Sequence, residues 1–135
     1  RTPMQWNDGP QAGFTTGTPW MPVIPNYTTI NATSQVHDED SVFSYYKKLI
    51  HLRKETPVIV DGAFEMLLPE DEEIFAYRRT DDSQTLTVIC NFYGNERRID
   101  ADSLVPKGSR LLLSNYKDME EADLLRPYEA RMYLK

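Results

Sequence analysis

The spacing of apolar residues changes twice along the chain. Residues 1–37 show no period: Met4, Trp6, Phe14, Trp20, Met21, Val23, Ile24, Tyr27 and Ile30 are scattered among turn formers, and five of the nine prolines and three of the six glycines lie within the first 25 positions. Gly9-Pro10, Gly17-Thr18-Pro19 and Pro22-Val23-Ile24-Pro25 break any helix or ladder. A flexible linker would be polar. This long loop carries many large apolar residues, so it is expected to pack against a scaffold.

From 38 to 55 the spacing becomes helical. Val42, Tyr45, Tyr46, Leu49, Ile50 and Leu52 or Arg53 recur at i, i+3, i+4 and i+7, and Lys47, Lys48, His51, Lys54 and Glu55 occupy the other side. Asp38 is the predicted N-cap, with Glu39 and Asp40 in the first turn. Thr56-Pro57 ends the helix, because proline disfavours helical geometry in the residue before it.

After Pro57 the period falls to two. Phe64, Met66 and Leu68 alternate, and strands are predicted over 74–79, 85–92, 97–101, 109–114 and 128–134, with Leu86, Val88, Cys90 and Phe92 on one face of the second. Turn clusters separate them, such as Asp81-Asp82-Ser83 and Pro106-Lys107-Gly108. The fold class is therefore mainly β: an antiparallel, sandwich-like domain over 57–135, preceded by a loop (1–37) and one helix (38–55). A β domain of about 80 residues buries only about three-fifths of its unfolded surface, so its stability alone is modest.

Composition narrows the function classes. No apolar run approaches the roughly 20 residues of a transmembrane helix, which excludes membrane insertion of that kind. The net charge of −6 comes from the second part: residues 1–55 carry five basic and five acidic side chains, the remainder ten and sixteen. That surplus argues against a nucleic-acid partner. The pairs Lys47-Lys48, Arg78-Arg79 and Arg97-Arg98 read as solvated faces. One cysteine, Cys90, precludes an intrachain disulfide, fits a reducing, cytoplasmic compartment and reads as a small buried hydrophobe.

Candidate chemistry is sparse. Glu70-Asp71-Glu72-Glu73 supplies carboxylates, but contiguous acids between strands form a solvated turn and cannot hold the fixed separation of a glycosidase pair. His37 and His51 lack partners at zinc-ligand spacing, and neither a nucleophile elbow nor a phosphate loop is present. The 11% of aromatic residues could build a sugar-stacking platform, although most strand aromatics follow the core pattern. No residue is assigned as catalytic or as a metal ligand, and no cofactor is implied. The first residues, Arg1-Thr2-Pro3, have no initiating Met and no leader, and the chain reads as a piece of something longer.

Several stretches carry a resemblance. Arg1-Thr2-Pro3-Met4-Gln5-Trp6, Ala12-Gly13-Phe14-Thr15-Thr16-Gly17-Thr18-Pro19-Trp20, Pro25-Asn26-Tyr27, the helix from Ser41 to Lys54, Ile74-Phe75-Ala76-Tyr77, Leu113-Ser114-Asn115-Tyr116 and Leu125-Arg126-Pro127-Tyr128-Glu129-Ala130 follow in order. Together they resemble the α-glucosidases of the α-amylase superfamily that include oligo-1,6-glucosidase, dextran glucosidase and trehalose-6-phosphate hydrolase. The resemblance implies the non-catalytic C-terminal portion of a retaining α-glucosidase. Residues 1–56 would be the end of its (β/α)₈ barrel, with the loop 1–37 after the last strand and 38–55 the last helix, and 57–135 a β domain that stabilises the barrel.

It also implies that the Asp nucleophile, the Glu acid/base and a further Asp precede residue 1, leaving the chain inactive alone. Arg1 is the one residue placed near the sugar, where its guanidinium would pair with a pocket carboxylate. Trp6, Phe14 and Trp20 are expected to fix the loop against the barrel. The implied partners are the rest of the barrel and, in the intact enzyme, an α-glucoside. The exposed helix stripe is expected to make the chain alone self-associate. Asn91-Phe92-Tyr93-Gly94 fits trehalose-6-phosphate hydrolases while much of the rest fits oligo-1,6-glucosidases, so the substrate stays open between isomalto-oligosaccharide and trehalose 6-phosphate. An independent carbohydrate-binding module and a purely structural β domain are the alternatives.

Overall fold

The computed structural model describes all residues, 1–135. The chain forms two compact units, Arg1–Leu52 and Arg53–Lys135.

The first unit is mostly irregular, with short 3-10 turns at Pro10–Gly13 and Pro25–Thr28. Helix α1 spans Ala32–Val36, inside the stretch expected to be loop. Its cause is local: the Asn31 side chain accepts from the Ser34 backbone N–H (2.9 Å) while the Ser34 hydroxyl accepts from the Asn31 N–H (3.3 Å), a reciprocal capping box.

Helix α2 begins at Val42 rather than at 39 and runs to Glu55. Asp38 does not cap it. Its carboxylate accepts from the Asp40 N–H in a local turn (2.9 Å), whereas the Ser41 hydroxyl accepts from the Ser44 N–H (3.1 Å) and takes the cap. Glu39 and Asp40 thus precede the first turn. No residue of α2 is fully buried, and Val42, Tyr46 and Ile50 are exposed.

The second unit is antiparallel β, as the alternation implies. Strands β1 (Ala63–Met66), β2 (Ile74–Thr80), β3 (Thr85–Asn91), β7 (Ala130–Leu134) and β5 (Arg110–Ser114) form one sheet in the order β1-β2-β3-β7-β5, and β4 (Arg97–Arg98) pairs with β6 (Leu124–Leu125) in a small second sheet. Two short helices complete it: α3 (Val58–Asp61), just after the proline that stops α2, and α4 (Ala101–Leu104). The strand predicted over 97–101 is cut to two residues because the Asp100 side chain accepts from the Ser103 N–H (3.2 Å) and starts α4. The last strand begins at Ala130, two residues late, because Tyr128 has φ of 56°.

Both faces of the large sheet carry core. On one, Ile74, Ala76, Ile89 and Tyr133 pack with Leu104 of α4 and Leu125 of β6. On the other, Leu86, Val88 and Leu134 pack with Val58 of α3. β3 is consequently buried on both sides, with Leu86 and Ile89 at 0% exposure, each contributing about 1.5–3 kcal/mol. Phe92 lies beyond the end of β3 and is exposed, so the predicted face stops at Cys90.

Arg78 and Arg79 are not a solvated pair. They point to opposite faces because strand side chains alternate. Arg78 donates to the Leu104 carbonyl (2.9 Å), fixing the end of α4, and Arg79 donates to the carbonyls of Val60 (3.2 Å) and Gly62 (2.9 Å), fixing α3. Arg97 is also half-buried, ion-paired to Glu73.

Candidate functional site

The candidate site lies in the first unit, where the backbone is held by a few specific bonds. The Gln5 carbonyl accepts from Ala32 N–H (2.8 Å), and the Trp6 carbonyl accepts from both the N–H and the hydroxyl of Thr33 (3.0 Å each). The Gln5 side chain donates to the Ile30 carbonyl (2.6 Å) and to Asn26 Oδ1 (3.2 Å). Residues 5 and 6 are thereby tied to the start of α1.

Between Trp6 and Phe14 the chain reverses. The Ala12 carbonyl accepts from the N–H groups of Trp6 (2.9 Å) and Asn7 (3.2 Å), and Ala12 is fully buried. Gln11, Ala12 and Gly13 all take the left-handed region, with φ of 54°, 54° and 66°. Only glycine fits at 13: a Cβ there would lie 2.4 Å from Asn7 Nδ2. Strain of this kind persists only where surrounding bonds over-determine the backbone.

Arg1 lines an open groove of about 170 Å³ together with Thr2, Pro3, Phe14, Pro19, Trp20 and Met21. Arg1 is exposed, and Trp20 is 91% exposed. Trp6 and Phe14 are each about half exposed, at 52% and 49%. The structure therefore gathers Arg1, Phe14 and Trp20 at one groove, but Trp6 does not line it. A cation with two accessible aromatic faces can pair with an anion and stack on an apolar sugar face.

Elsewhere several titratable groups are committed to structure. Asp71 Oδ1 accepts from the N–H groups of Glu73 (2.9 Å) and Ile74 (2.8 Å), so the acidic run is a turn, as expected. Burial raises the Cys90 thiol above its ordinary pKa, which suits a half-buried apolar role rather than a nucleophile. No group of three His, Cys, Asp or Glu side chains is placed to hold a metal ion. No helix is long and apolar enough to cross a membrane.

One buried network escaped the sequence reading. Glu129 and Arg131, at 0% and 1% exposure, form an ion pair (Nε–Oε1, 2.8 Å). Arg131 also donates to the carbonyls of Glu121 (3.0 Å), Ala122 (2.9 Å) and Leu124 (2.5 Å). Arg126 donates its N–H to Glu129 (2.8 Å), holds Asp118, and lies 3.9 Å from the Tyr116 ring centroid. Burial alone would raise the Glu129 pKa, but the bonds from Arg131 and Arg126 outweigh it and lower it. The signal was present as two charges at alternate positions of an otherwise apolar strand. The network ties the segment from Asp118 to Arg126, with β6 inside it, to the start of β7.

Comparison with known proteins gives the class. Residues 1–62 match the family model described as alpha amylase, catalytic domain. The chain belongs to the α-amylase superfamily. Within it, the chain is 48% identical to an oligo-1,6-glucosidase of Halalkalibacterium halodurans (99% of this chain, 25% of that protein). It is 44% identical to a trehalose-6-phosphate hydrolase of Bacillus subtilis (98% of this chain, 25% of that protein). The solved trehalose-6-phosphate hydrolase of Bacillus licheniformis superposes with a TM-score of 0.89 at 42% identity, over 98% of this chain and 25% of the other. The trehalulose synthase of Pseudomonas mesoacidophila gives 0.87 at 36%, over 100% and 25%. The chain spans about a quarter of the length of the curated relatives it matches.

Proposed function

We propose that this chain is the non-catalytic C-terminal portion of a retaining α-glucosidase acting on isomalto-oligosaccharides or trehalose 6-phosphate. The observation that carries the reading is the match of nearly its whole length to a quarter of relatives so named. Residues 1–56 then belong to the catalytic barrel and 57–135 to a β domain that supports it. The nucleophile and acid/base are assigned to the remaining three quarters, and the single half-buried thiol suits a cytoplasmic enzyme. Arg1 is assigned to substrate binding through its charge, beside the apolar faces of Phe14 and Trp20.

The test is the substrate profile of the complete polypeptide against isomaltose and trehalose 6-phosphate. Hydrolysis of either supports the reading, and hydrolysis of neither contradicts it. A second reading, an independent sugar-binding module, draws on the nearly full exposure of Trp20. Saturable quenching of tryptophan fluorescence by isomaltose or maltose on the 135-residue chain would favour that module; no change favours the barrel assignment.

A further inference from the structure

One end of the large sheet presents two exposed tyrosines on a backbone that is both tied down and strained. β3 ends at Asn91 and β7 starts at Ala130, which pairs with Cys90, so the loops 92–95 and 126–129 meet the sheet at the same end. Asn91, 2% exposed, joins them: its Oδ1 accepts from the Tyr93 N–H (3.0 Å), and its amide donates to the carbonyls of Asn95 (2.7 Å) and Arg126 (3.0 Å). The Tyr128 N–H donates to the Tyr93 carbonyl (3.0 Å). The Asn115 amide donates to the Tyr128 carbonyl and the Tyr116 hydroxyl to the Pro127 carbonyl (2.9 Å each).

This frame holds Tyr128 at a φ of 56°, a region that a bulky L residue adopts only under strain. Glycine would take the same angle freely. The ring gains little burial in exchange, since Tyr128 is 64% exposed and Tyr93 46%. Part of the Tyr128 ring lies against Gly94, where a Cβ would stand 3.2 Å from the tyrosine oxygen, so residue 94 leaves the room that the ring occupies. Packing offsets such strain in a buried aromatic; in an exposed one a ligand is the better account.

A tyrosine ring offers an apolar face together with a hydroxyl, and Asn95, exposed in the first loop, adds an amide. Flat apolar surface beside neutral donors and acceptors matches a pyranose ring, whose C–H face stacks on aromatics while its hydroxyls take hydrogen bonds. An anionic sugar fits less well, because Arg126, the cation of the second loop, is committed to Asp118, Glu120 and Glu129. We propose that Tyr93 and Tyr128 form a stacking platform for a neutral carbohydrate on the β unit, built from other residues than the groove at Arg1. The platform does not depend on the glucosidase reading, which supplies only the choice of an α-glucan as probe.

Calorimetric titration of the complete polypeptide with β-cyclodextrin tests it. This ring of α-linked glucoses has no chain end, so a pocket that takes a terminal glucose does not report. The expected result is saturable binding that Tyr128→Gly and Tyr93→Ala each weaken about tenfold or more, that Tyr128→Phe retains, and that Trp20→Ala leaves unchanged. Because glycine relieves the strain, Tyr128→Gly should unfold at the same urea concentration as the parent chain or higher, so its loss of binding is not a loss of fold. Should it not fold, Tyr93→Ala carries the test. No binding at millimolar sugar, binding that survives both replacements, or binding lost in Trp20→Ala overturns the proposal. A Tyr128→Gly chain that unfolds at markedly lower urea while Tyr93→Ala binds normally makes the ring structural and overturns it too. Binding by residues 1–135 but not by the complete polypeptide assigns the tyrosines to a contact within the longer chain, with the same consequence. Activity of the same preparation on isomaltose and trehalose 6-phosphate is scored separately: binding without activity removes the glucosidase reading and leaves the platform, and activity without binding does the reverse.

Discussion

Replacing Arg131 with methionine probes the most concentrated set of polar bonds in the β unit. The guanidinium makes two bonds to Glu129 (2.8 and 3.1 Å) and three to the backbone carbonyls of Glu121, Ala122 and Leu124, the last of them in β6. Methionine preserves much of the volume but leaves the Glu129 carboxylate buried with Arg126 as its partner. Removing one member of a buried pair costs about 3–5 kcal/mol, mostly from the charge left behind. A unit of 83 residues (53–135) is expected to have about 4–12 kcal/mol in total, so the loss is a large fraction of it. Urea unfolding by circular dichroism reads it as a fall in midpoint at constant slope. If Glu129 is the origin of the cost, adding Glu129→Leu should recover part of it, with a coupling of about 2–3 kcal/mol in the double-mutant cycle. A cost below about 1 kcal/mol for Arg131→Met, or additive single effects, would refute the reasoning.

Thr87 is fully buried and its hydroxyl has no hydrogen-bond partner, so Thr87→Val should be neutral or stabilising by about 1 kcal/mol in the same urea titration. The lowered pKa of Glu129 means that its stabilisation is complete above the ordinary glutamate pKa, near 4.5, and is lost as pH falls through the lower folded value; Glu129→Gln should flatten the acid limb of a stability–pH profile. Gly13→Ala forces a Cβ into φ of 66° and against Asn7, and should destabilise the first unit by about 1–3 kcal/mol, read by fluorescence of Trp6 and Trp20 during urea unfolding, whereas Gly17→Ala, with only the Thr15 hydroxyl 3.8 Å away, should change it little.

The sequence revealed elements wherever one physical signal acted alone. The bounds of β2, β3 and β5 match the predicted ones to within a residue at each end, and Thr56-Pro57 stops α2 where its effect on the preceding residue predicts. Elements decided by competition between side chains and backbone were harder to see. α1 depends on a reciprocal Asn31–Ser34 box, α4 on the Asp100 carboxylate, and the start of α2 on Ser41 outcompeting Asp38. β6 is two residues long and exists because Arg97 and Arg98 pair with it, which no local pattern encodes. Arg78 and Arg79 appeared equivalent in sequence, and only the pleat separates their tasks. At the candidate site the motifs named the family, but the left-handed turn at 11–13 just before Phe14 has two non-glycine members that carry no sequence signal, and no local pattern brings Arg1, Phe14 and Trp20 to one groove.

The central claim, that this chain supports an α-glucosidase without performing its chemistry, is tested most directly with p-nitrophenyl α-glucoside. Purified residues 1–135 and the complete polypeptide are assayed side by side at equal concentration. The complete polypeptide should turn the substrate over, and residues 1–135 should give a blank rate. Turnover by the 135 residues that persists through repurification would contradict it, as would a complete polypeptide with no activity on the substrate.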